Sequence, residues 1–370
     1  MNSHQTADAV VIGAGAVGCA AALLLARRGL KPLVIERDGI AFNASAYAWG
    51  GLSAHFGSGV PGPMTDHYRE AISRHIDLYE ELKPQGDHDW QLQRVTSLSL
   101  ADNEKSANRL AADVDWMRSE GFEAEMIGSD ELYGLEPAIR GGFLAASIVN
   151  AGWELDSLTF TVSLANEAER QGVHFLVGQV AEVDIVGGAI NSVVLKGGDR
   201  VDTPVAVAAT GPWVSNIRGI PRLPIKPIKG EILRLEHVGD DLRNRVGFNG
   251  FNVGRKPDCT VWAGTYEWDR GFDRNVTEEG RQHIWNGVTD YLPTLSHARM
   301  VKTTACLRPV ARDGIPIVGG SSAIDGLYYA NGAGKKGILL APLMAEWLSS
   351  NIVDGDDIPP IFSPDRFEAV

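Results

Sequence analysis

The stretch Ala9-Val10-Val11-Ile12-Gly13-Ala14-Gly15-Ala16-Val17-Gly18 carries an apolar strand pattern straight into a Gly-x-Gly-x-x-Gly turn. Gly13 permits the tight turn off the strand. Gly15 has no Cβ, so the backbone can approach a pyrophosphate closely, and Gly18 lets the next helix pack against the strand. The pattern predicts a helix over 16–28 that includes Ala16 and Val17, with its N–H groups and positive dipole end aimed at that turn. Gly29 is its expected C-cap. A second strand is expected over 31–36, and Glu36 at its end can accept both ribose hydroxyls. This layout is a seat for a dinucleotide.

The bulk numbers limit the function classes. At 370 residues the chain is long enough for two domains. Its formal net charge is −13, which argues against a nucleic-acid partner, and no basic stripe is present. An anionic substrate must therefore be held by local positive charge against the overall field. Cys19, Cys259 and Cys306 are too scattered for a disulfide framework or a zinc site. Cys19 falls inside the first helix, as a core residue. The short polar lead fits no signal peptide, and the apolar region over 10–25 reads as a buried strand-helix unit rather than a membrane span. The expectation is a soluble cytoplasmic protein.

Further along, the loop 37–63 is rich in Gly, Ala and Ser, which suits backbone lying close against something flat. Helices are expected over 65–83, 106–121 and 157–171, the last N-capped by Asp156; a short one begins at 129. Strands are expected over 95–100, 143–150, 173–178, 179–186, 189–195 and 200–209. The last of these runs into Thr210-Gly211-Pro212-Trp213, a second place for backbone to meet a cofactor. Pro221, Pro224 and Pro227 suit a crossing between domains. Strands over 229–236 and 260–266, a helix over 277–291 and strands over 302–307 and 326–331 follow. Gly332-Ala333-Gly334-Lys335-Lys336-Gly337 then opens a helix over 338–350. Nucleotide-binding elements thus recur at the start, middle and end of the chain, which implies one discontinuous domain interleaved with another.

Taken in order, several motifs resemble the D-amino-acid oxidase superfamily, and most closely its glycine oxidase branch. They are Val11 to Gly18, Glu36-Arg37, Ala209-Thr210-Gly211-Pro212-Trp213, Pro227-Ile228-Lys229-Gly230-Glu231, Ala263-Gly264-Thr265, Cys306-Leu307-Arg308-Pro309, Asp313 to Gly319 and Gly337 to Pro342. The resemblance spans nearly the whole chain. It implies an α/β fold with a discontinuous Rossmann-like FAD-binding domain (1–63, 140–220 and 301–370). A substrate domain built on an antiparallel sheet (64–139 and 221–300) is interleaved with it. It implies FAD and oxidation of an amine-bearing carbon in a small amino acid or secondary amine, with oxygen or a quinone as acceptor. A homo-oligomer is compatible with this. Val180 is then expected beside the adenine, Arg37 next to Glu36, and Ala44, Ser45, Trp49, Gly50 and Gly51 along the flavin. Thr210, Gly211 and Trp213 are expected on the cofactor as well. Gly334, Lys335, Lys336, Gly337 and Ile338 would present a helix N-terminus to the pyrimidine end. Arg308 is expected to hold the substrate carboxylate bidentately, with Lys335 as its catalytic companion.

The chain also departs from that pattern. Cys306 stands where the glycine oxidase branch usually has Gly. Sarcosine oxidase-like relatives carry a cysteine near this position that bonds to the flavin. Non-covalent FAD is the expectation, with a link at Cys306 as the alternative. Ala333 and Gly334 replace bulky residues and Lys335 replaces a common Arg, which makes the site roomier. His55 is either a substrate contact or an ordinary loop residue; Phe251, Trp262 and Tyr266 are either pocket walls or core. Lys229 either serves oxygen or anions, or pairs with Glu231. Two other functions use the same scaffold: oxidation of a 2-hydroxy acid, or a flavin subunit of a larger dehydrogenase complex.

Overall fold

The computed structural model describes residues 5–86, 88–236, 239 and 242–367. Its centre is a six-stranded sheet in the order Ile317–Gly320, Leu327–Asn331, Ala206–Ala208, Ala9–Ile12, Pro32–Glu36, His174–Val177. All neighbours are parallel except the Ile317–Gly320 edge pair. Strands from residues 9, 206 and 327 lie side by side, so the discontinuous nucleotide-binding layer is real. Both faces of the sheet are covered, so Ala9–Ile12 is apolar without alternation and buried throughout. The first helix, Ala16–Arg27, lies between that sheet and two other helices, Ser157–Arg170 and the C-terminal Gly337–Val353. That enclosure explains its run of buried alanines and leucines and the burial of Cys19.

A mixed sheet stands beside this layer, ordered Arg299–Ala311, Ile225–Glu236, Val261–Trp268, Phe251–Arg255, Arg245–Phe248, Gln93–Ala101, Ala145–Glu154, Gly51–Leu52. It is antiparallel apart from the pairing of Arg245–Phe248 with Gln93–Ala101. A four-stranded sheet joins Gln5–Thr6, Arg200–Asp202, Ala189–Leu195 and Val180–Val186.

The interleaving differs in detail from the expected segments. Arg299–Ala311 and Ala145–Glu154 contribute strands to the large mixed sheet. The helix Met64–Leu82 packs on the C-terminal helix through Met64, Tyr68, Ala71, His75 and Leu82, a spacing that places them on one face. The strand expected over 200–209 is two strands in different sheets. Pro204 cannot donate to a ladder, and Thr203 folds its hydroxyl onto Val205 N and O (3.3 and 2.9 Å). Helix ends lie within a few residues of expectation, and Asp156 and Thr277 act as N-caps, accepting from Thr159 N and Gly280 N.

The C-terminal helix contains Pro342, which has no N–H to give to the carbonyl four residues back, that of Ile338. His75, fully buried, fills the gap: its Nε2 lies 2.9 Å from Ile338 O and 3.1 Å from Leu339 O. Burial pushes its pKa down to about 4, against about 6.5 in an unfolded chain. Between these values the unfolded state takes up a proton and the folded state does not. The stability contributed by His75 is therefore complete above about pH 6.5 and falls as pH drops toward 4. His75→Phe should cost about 1–3 kcal/mol at pH 7 by orphaning the Ile338 carbonyl, and should flatten part of that acid-side fall. Denaturant melts of both proteins from pH 4 to 8 check both effects.

Candidate active site

The turn after Ala9–Ile12 is fixed by contacts that leave no room for side chains. Gly13 has φ +108°, and a Cβ there would lie 2.6 Å from Ala209 O; one on Gly18 would lie 2.0 Å from Gly13 O. The backbone thus passes directly over the neighbouring strand before the helix begins. No acidic side chain occupies the first turn of that helix, so its dipole end is open to an anion. Ser45 Oγ accepts the Ala16 N–H at 3.0 Å, which leaves its own hydroxyl proton free to turn to a phosphate. Glu36 is held in place by Ala14 N (2.9 Å) and Asp38 N (2.7 Å).

A cavity of about 760 Å³ opens here and runs to the start of the C-terminal helix. It is lined by Gly13, Gly15, Ala16, Val17, Glu36, Arg37, Ala44, Ser45, Trp49, Gly50, Gly51, Val180, Thr210, Gly211, Trp213 and the residues from Gly334 to Ile338. Gly18 alone of the expected cofactor residues is set back, in the helix–strand contact. Arg37 pairs with Asp38 and lies over the Trp213 ring, 4.8 Å from its centroid. Thr210 Oγ1 is buried without a protein partner, as suits a group awaiting a ligand.

The wall over 43–51 is anchored by residues that the sequence did not single out. Asn43 has φ 81° and its Oδ1 accepts Leu307 N at 3.4 Å, joining this segment to the strand that carries Arg308. Glu154, 3% exposed, accepts Trp49 Nε1–H at 2.8 Å and pairs with Lys256 (2.7 Å) and Arg245. Lys256 also donates to Trp49 O. Arg245 reaches the cavity, with Nη1 3.3 Å from where a Gly51 Cβ would sit.

At the far end stand Arg308, Glu267 and Lys335. Arg308 lies across strand Ile225–Glu236 at Gly230, where a Cβ would meet its Nη2 at 2.5 Å. Its Nη1 is 2.5 Å from Glu267 Oε1, and Lys335 Nζ is 2.8 Å from the same oxygen. Burial would raise the pKa of Glu267, but Arg308 and Lys335 outweigh it and hold the carboxyl below its ordinary range. Lys335 is 64% exposed and held by Glu267. Its neighbour Lys336 is the buried one, bonded to Ser53 O (2.9 Å) and Oγ (3.2 Å) and lying over the faces of Phe56 and Tyr68. Burial first, then the charges of Lys335 and Arg245, push its pKa down to about 7.

Other candidates fall elsewhere. Lys229 is fully buried between Asp273 (2.8 Å) and Glu231 (3.2 Å), outside the cavity wall, so pairing is what its geometry provides. Phe251 and Tyr266 face the helix Glu278–Tyr291, where both rings meet His283. Trp262 packs on Trp49. None of the three lines the cavity; beside Phe251 and Tyr266, alternation gives that face to Asn252, Thr265 and Glu267. His55 packs edge-on against Phe56 and Phe122, and burial lowers its pKa to about 4. Cys306 reaches the cavity but is 4% exposed, and burial raises its thiol pKa. The sequence did not single out Glu267, Arg245 or Asn43; strand alternation around Tyr266 was the one signal available, and only for Glu267.

Comparison with known proteins agrees with this geometry. The pattern of a family described as FAD dependent oxidoreductase (DAO) matches residues 8–350. The glycine oxidase of Bacillus licheniformis is 26% identical over 372 residues, covering 98% of each chain. Among solved structures, glycine oxidase from Geobacillus kaustophilus superposes with a TM-score of 0.90 at 23% identity, covering 98% of this chain and 99% of that one. L-proline dehydrogenase from P. horikoshii gives a TM-score of 0.85 at 21% identity, over 99% of both chains. The glycine turn, the carboxylate that ends the next strand, the unpartnered Thr210 hydroxyl and the reach of the cavity from that turn to the C-terminal helix all fit FAD.

The two ends of the cavity should respond separately to substitution. Gly13→Ala sets a Cβ against Ala209 O and should cost more than about tenfold in flavin affinity. Gly230→Ala should retain FAD but displace Arg308, raising KM by about tenfold or more. Flavin absorbance per mole of purified protein, alongside steady-state kinetics, distinguishes the two.

Proposed function

The chain belongs to the DAO family of FAD-dependent oxidoreductases, and from that membership we propose that it oxidises the C–N bond of a small amino acid or secondary amine. The observation that carries the reading is Arg308: a guanidinium, 13% exposed, in the wall of the cavity that begins at the glycine turn. Bound FAD supplies the acceptor for the hydride that leaves the α-carbon as the C–N bond becomes an imine, which water then hydrolyses.

The protein's own groups bind and orient. The first helix and Ser45 would hold the pyrophosphate of FAD, and Glu36 its ribose. The N-terminus of Gly337–Val353 turns its N–H groups toward the cavity, where they stabilise negative charge. Lys336, buried beside that N-terminus, adds to the same field. Arg308 fixes the substrate carboxylate in position and angle, which holds the α-carbon in a reactive pose. A carboxyl-bearing amine is therefore favoured over a simple alkylamine. The small residues Ala333 and Gly334 at the cavity wall leave room for an N-substituent. The raised thiol pKa of Cys306 makes it a poor nucleophile at neutral pH, which supports non-covalent FAD.

Arg308→Ala should lower kcat/KM for a carboxyl-bearing amine by roughly a hundred- to a thousandfold, about 3–4 kcal/mol. The check is anaerobic bleaching of the flavin by a panel of amino acids, N-methyl amines and 2-hydroxy acids. Bleaching by hydroxy acids in place of amines, or an Arg308→Ala enzyme as fast as wild type, refutes the reading. Peroxide formation with oxygen uptake distinguishes oxidase from quinone-linked dehydrogenase. Acid precipitation should release the flavin from the protein; colour retained in the pellet would point to a bond at Cys306.

A further inference from the structure

Glu267 occupies the position that a substrate carboxylate needs. Its Oε1 sits 2.5 Å from Arg308 Nη1, and the Arg308 guanidinium lies over the strand at Gly230, where a Cβ would crowd it. The same oxygen is shared with Lys335, 2.8 Å away. The two cations differ in setting. Arg308 is in the cavity wall at 13% exposure, whereas Lys335 is out at the mouth at 64%. Glu267 itself lines the cavity.

We propose that Glu267 is a built-in occupant of the carboxylate clamp, and that a zwitterionic substrate enters by exchange of partners. The incoming carboxylate takes Arg308, and the incoming ammonium takes Glu267. This rests on Arg308 as the carboxylate clamp and adds a selection rule to it. A bare anion, such as acetate or a 2-hydroxy acid, must separate Arg308 from Glu267 and offers Glu267 nothing in return. The displaced carboxylate then keeps only Lys335, the more exposed of its two partners, and stands beside the incoming anion, a like-charge contact that nothing on the anion relieves. A zwitterion restores a cation to Glu267 as it removes one, so its ammonium stands between the two carboxylates. Glu267 thereby discriminates amino acids from hydroxy acids of the same carbon skeleton, through a penalty on the wrong ligand as much as through attraction for the right one.

The test uses the FAD-loaded enzyme and reads binding from perturbation of the flavin spectrum. Acetate and glycolate serve as anions, and glycine and sarcosine, held anaerobically, as zwitterions. Wild type should bind the anions weakly. Glu267→Gln keeps the shape and removes the charge. It should tighten anion binding by about tenfold or more and weaken the zwitterions by a similar factor, reversing the preference. Lys335→Met should act in the opposite direction on the anions, because Glu267 is then left to Arg308 alone. Anion affinity unchanged or weakened in Glu267→Gln, or both ligand classes moving together, overturns the proposal. Arg308→Ala is the control for the underlying reading. Anion perturbation that survives in that variant means that Arg308 is not the clamp, whereas its loss there, with no reversal in Glu267→Gln, defeats the exchange alone.

Discussion

The backbone contact among Gly13, Gly18 and Ala209 is the constraint on which the rest of the molecule depends. Ala9–Ile12 runs between Pro32–Glu36 and Ala206–Ala208, and its exit must cross the end of the second neighbour with no side chain in the way. At the positions of Gly13 and Gly18 a single Cβ would fall 2.6 Å and 2.0 Å from a carbonyl oxygen. That closeness brings the first helix down onto the sheet and sets its N-terminus toward the cavity. It also fixes where the segment after Ala209 goes, and so where Thr210 and Gly211 stand. The C-terminal helix then packs beside the first one, which carries Lys336 and Gly337 to the other end of the same cavity. One close approach between early and middle segments thus places chemistry encoded some three hundred residues later.

What the sequence made legible was whatever depends on local chain chemistry. The glycine turn, the acid that ends the next strand, the cap at Asp156 and the apolar helix periods are properties of neighbouring residues, and the fold reproduces them. The arginine in Leu307-Arg308-Pro309 was found through a motif and stands in the cavity. Partners that meet only through tertiary structure were not legible. Glu267, Glu154, Arg245 and Asn43 act through residues 41, 105, 91 and 264 positions away (Arg308, Trp49, Glu154 and Leu307). Side-chain direction was the other loss. Lys335 and Lys336 are adjacent, yet one is 64% exposed and the other buried, since consecutive residues entering a helix point about a hundred degrees apart. Between the two readings left open for Phe251 and Tyr266, the core one holds, for a related reason: one step along a strand reverses the face.

Electrostatics explains why an acidic chain can still hold a carboxylate. The net charge of −13 lies mainly on the exposed surface, where salt screens it. The cavity is arranged in the opposite sense. Glu154 is shared by Arg245 and Lys256, and Glu267 by Arg308 and Lys335, so each carboxylate leaves a surplus of positive charge. Lys336 bonds a carbonyl and a hydroxyl and lies over two rings. Apart from the exposed Lys335, these charges are buried or nearly so, where they carry further than surface charges do. Burial first, and then Lys335 and Arg245, lower the pKa of Lys336, so its cationic neighbours act on it in the sense of that surplus. A substrate carboxylate would meet that surplus, and at Arg308 it would meet Glu267 first. The buried carboxylates keep the surplus from becoming prohibitive in its absence, and Glu267, in the clamp itself, does so at the point where the substrate must dock.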